Sequence, residues 1–115
     1  MSFEIDEGLP QEEVDELVDE VIENNEVVLF MKGTAMAPQC GYSEKALNHV
    51  RRYREDVECV DVLASTDEFR AALERHSGWT TTPQAYVDSE FVGGSDVLEE
   101  LDERGELAAT LNAEN

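Results

Sequence analysis

Long apolar runs are missing from this sequence: nowhere do about 18 hydrophobic residues follow one another, so no segment is suited to cross a bilayer as a helix. The first ten residues carry neither the basic stretch nor the apolar stretch of a secretory leader, and a soluble, cytoplasmic protein is expected. Bases are scarce. Lys and Arg number 8 against 28 Asp and Glu, giving a formal charge of -20 and a pI near 4.1. A phosphate backbone or an anionic membrane is held by clustered cations, so nucleic acid and lipid surfaces are excluded as partners. Cysteine is nearly absent too. Cys40 and Cys59 cannot make a disulfide scaffold or a four-cysteine metal site within one chain. No internal repeat and no low-complexity tract occurs.

What remains is material for one core: 115 residues, of which 41% are hydrophobic and 31% charged. A single domain over 1–115 is expected, with 1–10 and 109–115 as flexible acidic ends. The acid is unevenly placed. Residues 1–26 hold eleven acids and no base, residues 27–86 eight acids and seven bases, and residues 87–115 nine acids and one base, Arg104. Such composition can mark a disordered chain, but the apolar residues here are periodic. A folded domain with acidic outer helices is the better reading. Only two bases are lysine, a pattern that suits a salty cytoplasm, where self-repulsion is screened within about 3 Å at 1 M; an ordinary acidic protein is the alternative.

Pro10 marks a helix start, and Val14, Leu17, Val18, Val21 and Ile22 follow at amphipathic spacing as far as Asn24-Asn25. Val27 to Met31 is a short continuous apolar run, the pattern of a strand buried on both faces. A loop from Gly33 to Gln39 leads to Cys40, and a helix follows with Ala46, Leu47, Val50 and Tyr53 on its inner side. Val57 to Val62 reads as a second strand. Ser65 and Glu68 have capping-box spacing ahead of a helix through Phe69, Ala72 and Leu73. Residues 84–88 and 90–92 read as a hairpin turning at Asp88-Ser89; Gly93-Gly94 breaks the strand, and Val97, Leu98 and Leu101 begin a last long helix. Gly105 interrupts it, and a short turn through Leu107 and Leu111 ends the chain. The order α-β-α-β-α-β-β-α predicts an α/β fold: a central four-stranded mixed sheet flanked by helices on both faces.

Chemistry converges on Cys40. A cysteine between a buried strand and the start of a helix faces orphan backbone N–H groups and the positive helix end, which lower a thiol's pKa. Three residues on stands Ser43, where a dithiol motif would have its second cysteine, so a mixed disulfide at Cys40 has no local thiol to resolve it. Thr82-Pro83 precedes a strand in a threonine-rich stretch, a place where a cis-proline can hold a tight turn. An isolated cysteine is more often a small buried hydrophobe; the flanking Pro38, Gln39 and Gly41 are not core residues and favour function.

Four segments in order carry a resemblance: Val28 to Gly33, Pro38 to Ser43, Trp79 to Gln84, and Phe91 to Asp96. Over residues 12–108 the chain resembles the monothiol glutaredoxins, proteins of thioredoxin-like fold with a Cys-Gly-Phe-Ser active site. The resemblance implies that Cys40 ligates iron of a [2Fe-2S] cluster shared between two chains, with two glutathione thiols as the remaining ligands. Four ligands are needed, and one well-placed cysteine per chain is consistent with that division. The resemblance further implies that Lys32 and Arg70 pair with a glutathione carboxylate, and that the backbone of Thr82, held by a cis Pro83, pairs with its cysteinyl part. Ser95 and Asp96 would bind the γ-glutamyl end at a helix N-terminus. Without the resemblance Lys32 is a solvated residue after a strand, Arg70 a helix-surface charge, and Ser95-Asp96 an ordinary N-cap.

Departures from the family pattern are visible. Tyr42 replaces phenylalanine and adds a hydroxyl at the cluster edge. Thr80 stands where a proline usually follows the tryptophan, and Ser95 where many members carry a second cysteine. The small thiol is glutathione or another γ-glutamyl thiol such as γ-glutamylcysteine. Cys59 is expected to be a packing residue, and His49 and His76 helix-surface or satisfied side chains. Three functions follow as candidates: a cluster carrier delivering to apo iron–sulfur proteins, a thiol–disulfide oxidoreductase acting on glutathionylated proteins, and a salt-adapted interaction module. The first implies a homodimer when cluster-bound and admits a monomer without cluster, or a BolA-like protein in place of one protomer.

Overall fold

The apolar run at 27–31 is a strand with all five side chains buried, since it offers no polar residue to either face. In the computed structural model of the chain, which describes residues 8–113, this strand β1 (Val27–Met31) sits inside a sheet with β2 (Glu58–Asp61), β3 (Gln84–Val87) and β4 (Glu90–Gly93). The strand order is β2-β1-β3-β4. β1 runs parallel to β2 and antiparallel to β3, and β3 antiparallel to β4. Five helices complete the fold: α1 (Gln11–Asn24), α2 (Gly41–Arg51), α3 (Thr66–Ser77), α4 (Ser95–Glu103) and the short α5 (Leu107–Thr110). A 3-10 turn at Leu63–Ser65 leads into α3. The mixed four-stranded sheet with helices on both faces is the expected architecture.

The period-two alternation of β1 divides the core. Val27, Leu29 and Met31 join Leu47 and Val50 of α2, Leu98 of α4, and Leu107 and Leu111 on one face. Val28 and Phe30 join Val14, Val18 and Ile22 of α1, Phe69 and Leu73 of α3, and Tyr86 on the other. Each such side chain contributes about 1.5–3 kcal/mol by leaving water. Phe30 meets the Tyr86 ring edge-on at 5.7 Å, joining β1 to β3 on the α1/α3 face.

Local chemistry sets the element ends. Asn25 closes α1 by donating its side-chain amide to the Val21 carbonyl at 3.0 Å. Asp88 and Ser89 both take positive φ, 49° and 67°, which is the twist a two-residue hairpin turn demands. Gly93 has φ 149°, and a Cβ there would meet the Val97 Cβ at 2.6 Å, so only glycine lets α4 turn so closely off β4.

Two expectations are corrected. Ser65 precedes α3 but closes no cap hydrogen bond; its hydroxyl accepts the Leu9 N–H at 2.8 Å instead, tying the approach to α1 to the approach to α3. The second strand spans four residues rather than six, and Val62 just beyond it is buried against α3. Toward the two ends, Leu9 is held as above, and Leu111 is fully buried with its carbonyl accepting from Arg54 at 2.8 Å. Residues 1–7 and 114–115 of those ends lie outside the described residues.

Candidate functional site

The loop between β1 and α2 folds back on itself. Gly33, at φ 93°, turns the chain where a Cβ would meet the Gln39 nitrogen at 2.5 Å. The Gln39 N–H then donates to the Lys32 carbonyl at 2.9 Å, and the buried Ser43 hydroxyl accepts the Lys32 N–H at 3.0 Å. Both backbone groups of Lys32 are thus bound to residues flanking Cys40. Asp61, at the end of β2, accepts the N–H groups of Gly33 at 3.0 Å and Leu63 at 2.9 Å and fixes the loop from below.

Cys40 is the N-cap of α2, half-buried and extended at φ -147°. As a thiol it closes no cap hydrogen bond. As a thiolate it is favoured by the Ser43 N–H most of all, then by the Tyr42 N–H, the Ser43 hydroxyl and the Lys32 charge, while partial burial opposes them. The net effect holds the Cys40 thiol below its ordinary range. Cys59 goes the other way: half-buried in β2 against the Leu29 side of the core, its thiol is pushed up by burial. Iodoacetamide should therefore alkylate Cys40 much faster than Cys59 at pH 7. A Ser43→Ala change should shift the pH profile of the Cys40 reaction upward, and equal rates for both thiols would refute this assignment.

Two clefts meet beside this cysteine. One, of about 170 Å³, is lined by Lys32, Thr66, Phe69, Arg70 and Thr80 to Thr82. The other, of about 380 Å³, is lined by Tyr42, Trp79, Pro83, Ser95 and Asp96 and again by Thr81 and Thr82. The shared threonines make them one groove, and Lys32, Tyr42, Arg70, Thr82, Pro83, Ser95 and Asp96 all line it, whereas Cys40 is in neither lining. Thr82-Pro83 is a cis peptide, as expected. Among the described residues the Thr82 N–H and C=O are bound to no other group. Ser95 and Asp96 open α4, but its N-cap is Gly94, which has no side chain, so neither acts as an ordinary cap.

Electrostatics single out one end of the groove. Among the described residues five of the eight bases are in ion pairs: Lys45 with Glu99, Arg52 with Asp102, Arg54 with Glu26 and Asp56, Arg75 with Asp15 and Asp19, and Arg104 with Glu100. The unpaired three are Lys32, Arg51 and Arg70, and two of these line the same cleft. In a chain so rich in carboxylates, two cations without a carboxylate partner among the described residues thus stand in one cleft. Tyr42 and Trp79, which line the wider cleft, are 64% and 52% exposed, and Met36 in the loop after β1 is 97% exposed.

Three functional contributors escaped the sequence reading. Asp102 acts through partners far along the chain, and Asp61 ties Gly33, 28 residues upstream, to its own neighbour Leu63. Gln84, by contrast, is polar in an otherwise apolar strand, a signal that was available. The histidines are satisfied by aspartates, His49 by Asp102 at 2.7 Å and His76 by Asp19 at 2.6 Å.

This geometry agrees with what sequence and structure comparisons find. The Glutaredoxin family profile matches residues 27–92. The uncharacterised monothiol glutaredoxin ycf64 of Porphyra purpurea is 40% identical over 97 residues, covering 84% of this chain and 90% of its own. The probable monothiol glutaredoxin 2 of Rickettsia felis is 41% identical over 96 residues, 84% and 91%. The solution structure of reduced poplar apo GrxS14 superposes with a TM-score of 0.74 at 36% identity, covering 86% of this chain and 90% of that one. The fold is thioredoxin-like. The chain belongs to the glutaredoxin family, among its monothiol members.

Proposed function

We propose that the protein carries a [2Fe-2S] cluster between two copies of the chain and passes it to apo iron–sulfur proteins. Each copy supplies the Cys40 thiolate, and each binds one γ-glutamyl thiol in its groove, glutathione or a shorter relative. The observation that carries this reading is Cys40 itself: a thiol held toward its ionised form, with the buried Ser43 hydroxyl committed to Lys32 where a resolving thiol would stand. The donor set suits the group. Thiolates are the ligands such clusters take, and among the described residues no three His, Cys, Asp or Glu side chains gather to hold a metal within one chain. The remaining ligands then come from outside the chain.

The groove supplies the small thiol by chemistry at both ends. Lys32 and Arg70 offer unpaired cations to a carboxylate, the Thr82 backbone offers a donor and an acceptor to an extended peptide, and Ser95 and Asp96 face the other end, where Asp96 would take an ammonium. The exposed Tyr42 and Trp79 at the wider cleft give a second protomer or an acceptor protein apolar surface to cover. Oxidoreductase activity toward glutathionylated proteins is the second reading, favoured by the same lowered thiol. Serine at 43 and 95 leaves that activity without a resolving cysteine, so slow turnover is expected.

Reconstitution without oxygen, with iron, sulfide and glutathione supplied and Cys40→Ser as the blank, tests the reading. A coloured species with about one cluster per two chains is expected. A colourless protein, or a blank that takes up as much cluster as the native chain, would overturn it.

A further inference from the structure

Between Trp79 and Pro83 run three threonines and no proline, so no ring fixes the backbone at Thr80 and Thr81, ahead of the restraint that Pro83 places on Thr82. Yet Thr81 and Thr82 form the wall common to both clefts, and a groove that binds a short peptide through its backbone needs that wall in one conformation. Beneath the loop lies Gln84, the first residue of β3, wholly buried. Its side-chain nitrogen donates to the Trp79 carbonyl at 3.0 Å and to the Thr81 carbonyl at 2.9 Å. Its side-chain oxygen accepts the hydroxyl of the buried Tyr86 at 2.8 Å. Two carbonyls on one side can only accept, and the hydroxyl on the other can donate, so the amide has a single orientation that satisfies every group. Ser77 holds the same loop from its start, its hydroxyl accepting the Trp79 N–H at 3.0 Å.

A buried amide is costly unless fully partnered, and an apolar side chain would suit a strand that continues Ala85, Tyr86, Val87. Both amide protons instead reach carbonyls that bracket Thr80, fixing the loop immediately before Thr82. We infer that Gln84 is the positioning residue of the groove, holding Trp79 to Thr81 so that the Thr82 N–H and C=O stay unpaired and ready for the thiol ligand. The role rests on the function proposed above. It touches no ligand and acts through the loop.

Gln84→Met tests it, but that change strands the Tyr86 hydroxyl, so Gln84→Met combined with Tyr86→Phe is the decisive variant: Phe leaves no hydroxyl unpaired, and the carbonyls of the exposed Trp79 and Thr81 can turn to water once the loop is released. In the double variant the Tm should stay close to native while reduced glutathione binds about tenfold more weakly and the Trp79 amide exchanges about tenfold faster. A merely structural glutamine would move the Tm and neither of the other two. Native affinity in the folded double variant overturns the inference. Should the native chain bind neither glutathione nor γ-glutamylcysteine, the proposed function fails, and the Trp79 amide still decides the clamp: exchange at the native rate in the double variant overturns it.

Discussion

Changing Lys32 and Arg70 together to glutamate should weaken glutathione binding at least about a hundredfold. A hydrogen bond to a charged partner contributes roughly 1.5–3 kcal/mol, and two of them lost, with repulsion in their place, exceed the 2.7 kcal/mol or so that a hundredfold represents. The chain makes the test clean, because these cations have no protein carboxylate to release among the described residues. Arg51→Glu is the matched control for the single change Arg70→Glu: it is the third unpaired base among the described residues, outside the groove, and reversing either one changes the net charge equally. Lys32 also contributes to the lowered Cys40 thiol, though less than the Ser43 and Tyr42 groups do. Arg70→Glu alone therefore separates ligand binding from thiol activation, weakening the first and leaving the Cys40 alkylation profile in place. Isothermal titration at low and high salt measures it; equal losses from Arg51→Glu and Arg70→Glu would place the effect in net charge and not in the groove.

The sequence was informative where the physics is local. A five-residue apolar run can only be a strand buried on both faces, and the spacing of Val14, Val18 and Ile22 is legible as one helix face. Cys40 was legible because a thiol at a strand-to-helix junction has a chemical consequence whatever surrounds it. The groove residues were legible only through the order of the four motifs, since nothing in the sequence near Arg70 distinguishes it from Arg75, which is tied up by Asp15 and Asp19. What failed was the capping box. Ser65 and Glu68 have the right spacing, but a hydroxyl accepts from whichever N–H the fold brings, and here that is Leu9, 56 residues away in sequence. The Leu111 carbonyl likewise accepts from Arg54, 57 residues upstream, a partner nothing local announces. Asp102 and, in its tie to Gly33, Asp61 belong to the same class, because there a carboxylate's partner is chosen by topology and not by its neighbours.

Asp102 carries the largest expected effect on stability: Asp102→Ala should lower it by about 3 kcal/mol, a drop in Tm of roughly 15 °C. Its side chain on α4 is only 6% exposed and receives three groups from α2 and its end, the Tyr53 hydroxyl at 2.5 Å, His49 Nδ1 at 2.7 Å and Arg52 at 2.7 Å. An ionised carboxylate only accepts, so His49 carries its proton on Nδ1 here. Deleting the acceptor leaves the half-buried Tyr53 and His49 donors unpaired, while the exposed Arg52 loses little. The Tyr53 hydroxyl first, and then His49, hold the Asp102 carboxyl below the usual carboxylate range. A carboxyl depressed in the folded state stabilises it above the unfolded value, about 3.9, and that contribution is lost as pH falls through the lower folded value. The gap in Tm between native and Asp102→Ala should therefore be constant from about pH 7 to 5 and narrow only in stronger acid. A gap that already closes between pH 7 and 5 would refute the assignment to the Asp102 carboxylate. The seam matters beyond stability because α2 begins just after Cys40 and α4 begins at Ser95 and Asp96, so the ties at Asp102, with Lys45 to Glu99 nearer the site, set how the thiol and the far end of its groove face each other.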